Sequence, residues 1–241
     1  LTSAYVTLRF SGGNNAGISA SYAESMYDNI ALYGGRKGNR NDVDGKDFSG
    51  RKDSIISSGA TDQTYTTLYW RTFRYIRLRV TTADEPLVIN DIYGTFTGYP
   101  FKQVSVFNDG NEVSKQILDI GWRTARLDAV ETYMDCPYYE QLQYIGDTRI
   151  QALVTYYNSS DDRLARNALN LMDQSRQPEG VTLSRYPSKG TQLISTFSLW
   201  YIGMLHDYWM YRGDKKFIQK NLDASRRILS FFANYQQKDA S

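Results

Sequence analysis

Residues 135–147, DCPYYEQLQYIGD, bring together three carboxylic acids: Asp135, Glu140 and Asp147. Pro137 lacks a backbone N–H and restricts the residue before it, so this segment interrupts the helical patterns on either side. A loop of this length between two helices is longer than most such connections, and long loops often carry function. Helix capping by Asp147 and a turn at Asp135 would explain the same spacing, so spacing alone leaves both interpretations open.

The neighbouring aromatic residues make Glu140 a candidate for acid catalysis. A carboxylic acid that keeps its proton near neutral pH needs a partly apolar site with other negative charges nearby. Tyr138, Tyr139 and Tyr144, together with the flanking aspartates, would provide such surroundings. Chemistry of this kind is typical of glycoside hydrolases, which protonate the leaving oxygen with one acid and use a second carboxylate elsewhere.

Composition limits the remaining possibilities. The chain has 241 residues, 41% of them hydrophobic, which suits one large or two ordinary globular domains. No apolar run approaches the ~20 residues of a membrane span. A formal net charge of +2 is too mild to indicate nucleic acid binding. Because Cys136 and His206 are the only residues of their types, we predict no metal site and no cofactor. The 20 tyrosines suit surfaces that bind sugars.

The pattern of apolar residues changes once along the chain. Residues 1–100 contain short alternating runs such as FRYIRLRV, separated by turns rich in Gly, Asn and Asp, which predicts an antiparallel β-sandwich. Residues 113–241 show helical spacing, and residues 101–112 are interpreted as a linker. The apolar set of the first helix predicts an end near the proline break: Val113, Ile117, Ile120, Leu127, Val130 and Met134.

Several stretches resemble one known family. The stretch MDCPYYEQLQYIGDTRIQALV is similar to the signature of the α-L-rhamnosidases of glycoside hydrolase family 78, in which Asp-Cys-Pro is followed by a Glu and then by Gly-Asp at a helix entry. The segments GWRTARLDAVETY and FSLWYIGMLHDYWMYRGD resemble flanking helices of that catalytic domain, and ISASYAESMYD and WRTFRYIRL resemble strands of the preceding sandwich. The resemblance covers nearly the whole chain.

The resemblance implies a β-sandwich that leads into an (α/α)6 six-hairpin barrel and hydrolysis of terminal α-L-rhamnosides with inversion. It assigns the general acid to Glu140. The sugar-binding residues that the resemblance implies are Asp135, Asp147 and Tyr144. Two further candidates for contact with the sugar are Tyr139, next to Glu140, and Trp200, in the first turn of the aromatic helix after the long loop. The common family loop carries Arg-Asp before the glutamate, whereas this chain is one residue shorter there and has two tyrosines. An arginine contact to the sugar is therefore absent or supplied from elsewhere.

Length limits what this chain would contain. The helical part predicts only the opening helices of a barrel that needs twelve, so we interpret the sequence as a fragment whose general base lies beyond it. The expected function is an inverting exo-glycosidase that acts on rhamnose-containing oligo- or polysaccharides. The alternatives are an (α/α)6 glycosidase of other sugar specificity and a non-hydrolytic carbohydrate-binding protein on the same scaffold. A periplasmic or secreted location is an expectation from the family.

Overall fold

The computed structural model describes residues 1–30 and 35–236, and the chain divides into two compact units, Leu1–Thr97 and Gly98–Ser241. Residues 31–34 of the predicted sandwich and 237–241 of the predicted helical domain lie outside the described residues. The strands of the first unit are β1 (Thr2–Gly12), β2 (Gly17–Ala23), β3 (Tyr27–Asp28), β4 (Arg36–Lys37), β5 (Arg51–Ile56), β6 (Gln63–Thr66), β7 (Arg71–Phe73), β8 (Tyr75–Thr81) and β9 (Leu87–Phe96).

Two antiparallel sheets form the sandwich, as predicted. Strand β1 pairs with β6, β7 and β9 in one sheet, and β2 lies between β5 and β8 in the other. Leu8 and Phe10 of β1 pack with Ile18 of β2 in a small shared core, to which Leu78 and Leu87 add partly buried side chains. In β5 and β6, partly buried and exposed residues alternate, so these strands have an inner face and a solvent-facing one.

Helices account for most of the second unit, also as predicted: α1 (Glu112–Leu127), α2 (Ile145–Asn158), α3 (Arg163–Gln174), α4 (Ser198–Arg212) and α5 (Lys215–Ala233). A 3₁₀ turn, Ser195–Phe197, precedes α4. Asp214 caps α5, because its carboxylate accepts a hydrogen bond from the Phe217 N–H at 3.0 Å. The helices share a core that includes Leu169, Met172, Tyr201, Met204, Tyr208 and Ile228. Among the described residues, none of the helices combines the length and the apolar character of a membrane span.

The end of α1 differs from the prediction. The helix stops at Leu127 rather than near Met134, because the chain turns back on itself after Asp128: Ala129 bridges to Tyr133, and the Met134 N–H bonds the Asp128 carbonyl at 2.8 Å. The predicted apolar face is also not buried throughout: Val113, Ile117 and Ile120 are exposed, whereas Trp122, Ala125 and Leu127 are buried.

Residues 101–112 run along the helical unit. Phe101 is buried beside Trp122, with ring centroids 5.9 Å apart, and the Val104 N–H bonds the Asn158 carbonyl at 2.9 Å. Asn111 caps α1 by accepting a hydrogen bond from the Val113 N–H at 2.9 Å. The segment interpreted as a linker thus packs on the helices and ends as the cap of the first one.

Candidate active site

The acidic segment between α1 and α2 is a closed loop. The Asp135 N–H bonds the Leu142 carbonyl at 2.9 Å, and the Leu142 N–H bonds the Asp135 carboxylate at 3.0 Å. The Gln141 N–H bonds the Cys136 carbonyl at 3.1 Å. One Asp135 oxygen therefore holds the loop together. This is the turn-forming role that was one of the two interpretations of Asp135 from the sequence, the other being sugar binding.

Gln143 ties this loop to the long segment between α3 and α4. Its side chain is buried, accepts a hydrogen bond from the Tyr133 N–H at 3.3 Å and donates one to the Tyr186 carbonyl at 2.8 Å. The backbones continue the connection, because the Tyr186 N–H bonds the Gln143 carbonyl and the Ile145 N–H bonds the Ser184 carbonyl. A buried amide with both ends satisfied holds the two segments in one arrangement.

A chain of hydrogen bonds ends on Glu140. The Tyr144 hydroxyl donates to Glu140 Oε2 at 3.0 Å and accepts from Arg185 Nη1 at 2.7 Å. The Arg185 guanidinium also lies 5.4 Å from the centroid of the Tyr144 ring. Partial burial raises the pKa of Tyr144, and the bond to Glu140 raises it further, whereas Arg185 lowers it. The tyrosine therefore stays protonated near neutral pH and serves as a donor to the carboxyl group.

Asp147 lies in the first turn of α2. Burial raises its pKa, as do the negative charges of Asp135 and Glu140, while a hydrogen bond from its own backbone lowers it. Asp135 and Glu140 are therefore close enough to Asp147 to act on it electrostatically. Their individual roles toward a sugar stay predictions.

Asp128 is a fourth acid that the sequence analysis did not identify. It is 7% exposed, and its Oδ1 has no hydrogen-bond partner within the described part of the chain. Burial, followed by the charge of Asp135, raises the pKa of Asp128 to about 7. Its sequence signal is weak, because one acid in the apolar stretch RLDAV is as readily interpreted as the exposed face of a helix.

The predicted aromatic residues differ in their surroundings. Trp200, which is 41% exposed, lies beside Gly146 at the start of α2, where an added Cβ would be 3.5 Å from the indole ring. The Arg149 guanidinium is 5.1 Å from the Trp200 ring and bonds the buried Asp207 carboxylate at 2.6 and 3.3 Å. Tyr139 is exposed and stands edge-on to the Tyr138 ring.

Two depressions, one on each unit, are not lined by Glu140. One, of about 780 Å³, covers the outer face of the β5–β2–β8 sheet, and the other, of the same volume, lies between the 103–111 segment and Tyr157. Within residues 1–30 and 35–236 there is no group of three or more Asp, Glu, His or Cys side chains that could hold a metal ion. In the acid site itself, Tyr139, Glu140 and Asp147 are exposed to solvent.

Solved structures share this architecture. A GH78 family rhamnosidase of Bacillus sp. GL1 aligns with a TM-score of 0.83 and 24% identity over 98% of this chain and 24% of its own. A rhamnosidase from Klebsiella oxytoca with rhamnose bound aligns with a TM-score of 0.75 and 15% identity, over 95% of this chain and 46% of its own. An α-L-rhamnosidase of Streptomyces avermitilis complexed with L-rhamnose aligns with a TM-score of 0.69 and 17% identity, over 98% of this chain and 22% of its own.

This chain therefore spans between 22% and 46% of the length of these three proteins. No curated protein matched the chain. Residues 102–241, which include the whole acidic segment, match the family described as the bacterial alpha-L-rhamnosidase six-hairpin glycosidase domain. The helical unit is thus the opening part of an (α/α)6 glycosidase domain that follows a β-sandwich, and the chain belongs to the bacterial α-L-rhamnosidase six-hairpin glycosidase family.

Proposed function

We propose that this chain provides the general acid of an inverting exo-acting α-L-rhamnosidase that releases terminal rhamnose from oligo- or polysaccharides. The observation that carries the proposal is the hydrogen-bond chain from Arg185 through Tyr144 to Glu140, which lies in the part of the chain that matches the family. The rhamnose in the complexes of two similar proteins supports the choice of sugar.

Glu140 would act on the leaving group. As the bond between the anomeric carbon and the glycosidic oxygen breaks, the proton of Glu140 passes to that oxygen and the aglycone leaves as an alcohol. Glu140 is then an anion, and the Tyr144 hydroxyl, which already donates to Oε2, stabilises the new charge. Because Arg185 occupies an acceptor position of that hydroxyl, it directs the Tyr144 proton toward Glu140. Arg185 thus positions the Tyr144 hydroxyl, although no arginine precedes Glu140 in the loop sequence.

The remaining predicted residues would hold the sugar. Asp135 and Asp147 would accept hydrogen bonds from rhamnose hydroxyls, and a sugar without those hydroxyls would leave a carboxylate unpaired, which makes such contacts selective. Tyr139 and Trp200 are exposed enough to pack on the apolar faces of the sugar. Water would be activated by a base outside this chain, about 6.5–9.5 Å from Glu140 as inversion requires.

The test is Glu140→Gln in the full-length protein. General acid help is worth about 10²–10⁴-fold, so hydrolysis of natural rhamnosides should fall by that order. Aryl rhamnosides with acidic phenol leaving groups need less protonation and should lose less activity. Glu131→Gln, at an exposed position of the same connection, is the matched control and should keep both activities. Equal slowing of both substrates by Glu140→Gln would show that Glu140 is not the acid.

Product analysis tests the rest of the proposal. NMR spectra recorded early in the reaction should show rhamnose released as the β-anomer from an α-linked substrate, because inversion reverses the anomeric configuration. Release of a different sugar would favour an (α/α)6 glycosidase of other specificity. Binding of rhamnosides without any hydrolysis would favour a carbohydrate-binding protein.

A further inference from the structure

The outer face of the sheet formed by β5, β2 and β8 is a depression of about 780 Å³. Its floor is the central strand β2, where Gly17, Ser19 and Ser21 face outward with small side chains. Longer side chains from β5 and β8 flank that floor, and Phe48 closes one end. The depression therefore forms because small residues on the central strand lie between longer side chains on the two neighbouring strands.

Strand register places three cations around this floor. Lys52 of β5 and Arg77 of β8 both pair with Ser21 from opposite sides, and Arg79 pairs with Ser19. With neighbouring strands ~4.8 Å apart, the Cα atoms of Lys52 and Arg77 lie about 10 Å apart across the floor. Arg77 and Arg79 are two residues apart on one strand and so lie about 7 Å apart along it.

The cations of this face are not neutralised within the sandwich. No Asp or Glu lines the depression, and among the described residues Lys52, Arg77 and Arg79 form no ion pair. The nearby Asp53 belongs to the inner side of β5, where it binds Arg71 at 2.6 and 3.0 Å. The face is thus positively charged and complementary to an anion.

Arg77 is already held in position. Its guanidinium lies 4.4 Å from the centroid of the Phe48 ring, and its Nη2 donates to the Phe48 carbonyl at 3.4 Å. Its Nε is buried and has no hydrogen-bond partner within the described residues. A guanidinium fixed by stacking loses little freedom on binding and presents a fork that matches a carboxylate.

We infer that this face binds the carboxylate groups of an acidic glycan, one that carries uronic acid residues. Arg77, Arg79 and Lys52 would pair with the carboxylates, while the hydroxyls of Ser19 and Ser54 would bond sugar hydroxyls along the floor. The choice of a glycan over other polyanions rests on the proposed function of the helical unit. The mild overall charge of +2 agrees with a local anion site rather than a general affinity for nucleic acid.

The experiment is calorimetric titration of the full-length protein with an oligomer of galacturonic acid. The oligomer should bind, and its affinity should fall as salt is added. Arg77→Gln and Arg79→Gln should each weaken binding about tenfold, the loss expected for a charge-assisted hydrogen bond. Arg9→Gln, at an exposed cation of β1 in the other sheet, is the matched control and should bind normally.

Hydrolysis of a small rhamnoside with an alcohol leaving group, which needs protonation by the acid, separates this inference from the proposed function. Arg79→Gln should lose glycan affinity and keep that hydrolysis, whereas Glu140→Gln should do the reverse. Because Arg79 is exposed, its replacement also gives a result if Arg77→Gln fails to fold. The inference is overturned if the wild type does not bind the oligomer or if Arg79→Gln binds it equally well. Tighter binding to dextran sulfate, which has no carboxylates, to duplex DNA or to a neutral dextran oligomer would overturn the assignment of the ligand.

Discussion

The acidic segment of the helical unit and the cationic face of the sandwich each concentrate one sign of charge, but they are supported differently. Around Glu140, buried side chains hold the backbone, with Gln143 and Asp135 as the main ties. On the sandwich, the charged side chains project from regular strands whose ladder bonds do not involve them. The first region should therefore be sensitive to changes in its supporting residues, whereas the second should tolerate changes at most of its own positions.

The largest expected effect follows from the loss of Gln143. Gln143→Ala would leave the Tyr133 N–H and the Tyr186 carbonyl buried without their side-chain partners, which should lower the free energy of unfolding by about 2–4 kcal/mol. Urea denaturation would measure the change. On the cationic face, Ser54→Ala is the matched control and should change stability by less than about 0.5 kcal/mol. Equal effects of the two substitutions would remove the distinction between the regions.

A smaller effect is expected from Arg149, which pairs with the buried Asp207. Arg149→Met should cost about 2 kcal/mol, because it leaves a buried carboxylate without its partner, although solvent reaches part of the arginine. Lys52→Met, which removes a cation without an ion pair among the described residues, should cost less than about 0.5 kcal/mol. Thermal unfolding of both variants makes the comparison, and a cost for Lys52→Met as large as that for Arg149→Met would contradict it.

The sequence could predict elements more readily than their ends. Alternation in FRYIRLRV and helical spacing after residue 113 reflect burial on one face, and both kinds of element form. Spacing could not predict the end of α1, because Val130 and Met134 continue the helical pattern. The helix ends earlier, and a backbone bridge between Ala129 and Tyr133 follows it. Spacing reports which residues are apolar, and it does not report which backbone groups pair.

A pH-dependent effect is expected from Asp128, whose pKa is raised to about 7. The folded state holds this proton more strongly than the unfolded state, whose carboxyl has a pKa of ~3.9, so the stabilisation is complete well below pH ~4 and is lost as the pH rises toward 7. Asp128→Asn cannot lose a proton there and should melt at a higher temperature than the wild type at pH 8.

Calorimetry at two pH values checks this expectation. At pH 3 the Asp128→Asn variant and the wild type should melt together, because the carboxyl group is then mostly protonated in both the folded and the unfolded state. A gain for Asp128→Asn of the same size at both pH values would indicate a packing effect instead of a proton effect.

The candidate site was predictable to different degrees. The acids at 135, 140 and 147 stand out by type and spacing, and the resemblance assigned them roles. Arg185, in contrast, is 41 residues away from Tyr144 along the chain, and only the pairing of two loops brings its guanidinium to the tyrosine hydroxyl. Asp128 was missed because burial, not spacing, makes it unusual. The cationic face could not be predicted, because the pairing register of three strands brings its residues together and the sequence alone does not give that register.

The hydrogen bonds from Arg185 to Tyr144 and from Tyr144 to Glu140 determine when the Glu140 carboxyl group becomes oriented. They form within the protein itself, so the rotation of the Glu140 carboxyl group is already restricted in the folded protein before a sugar arrives. A reacting group that is already oriented raises the effective molarity of its proton at the glycosidic oxygen. Substrate binding would then cost little further conformational freedom of the catalytic acid. The conformational entropy lost on binding would come mainly from the glycan.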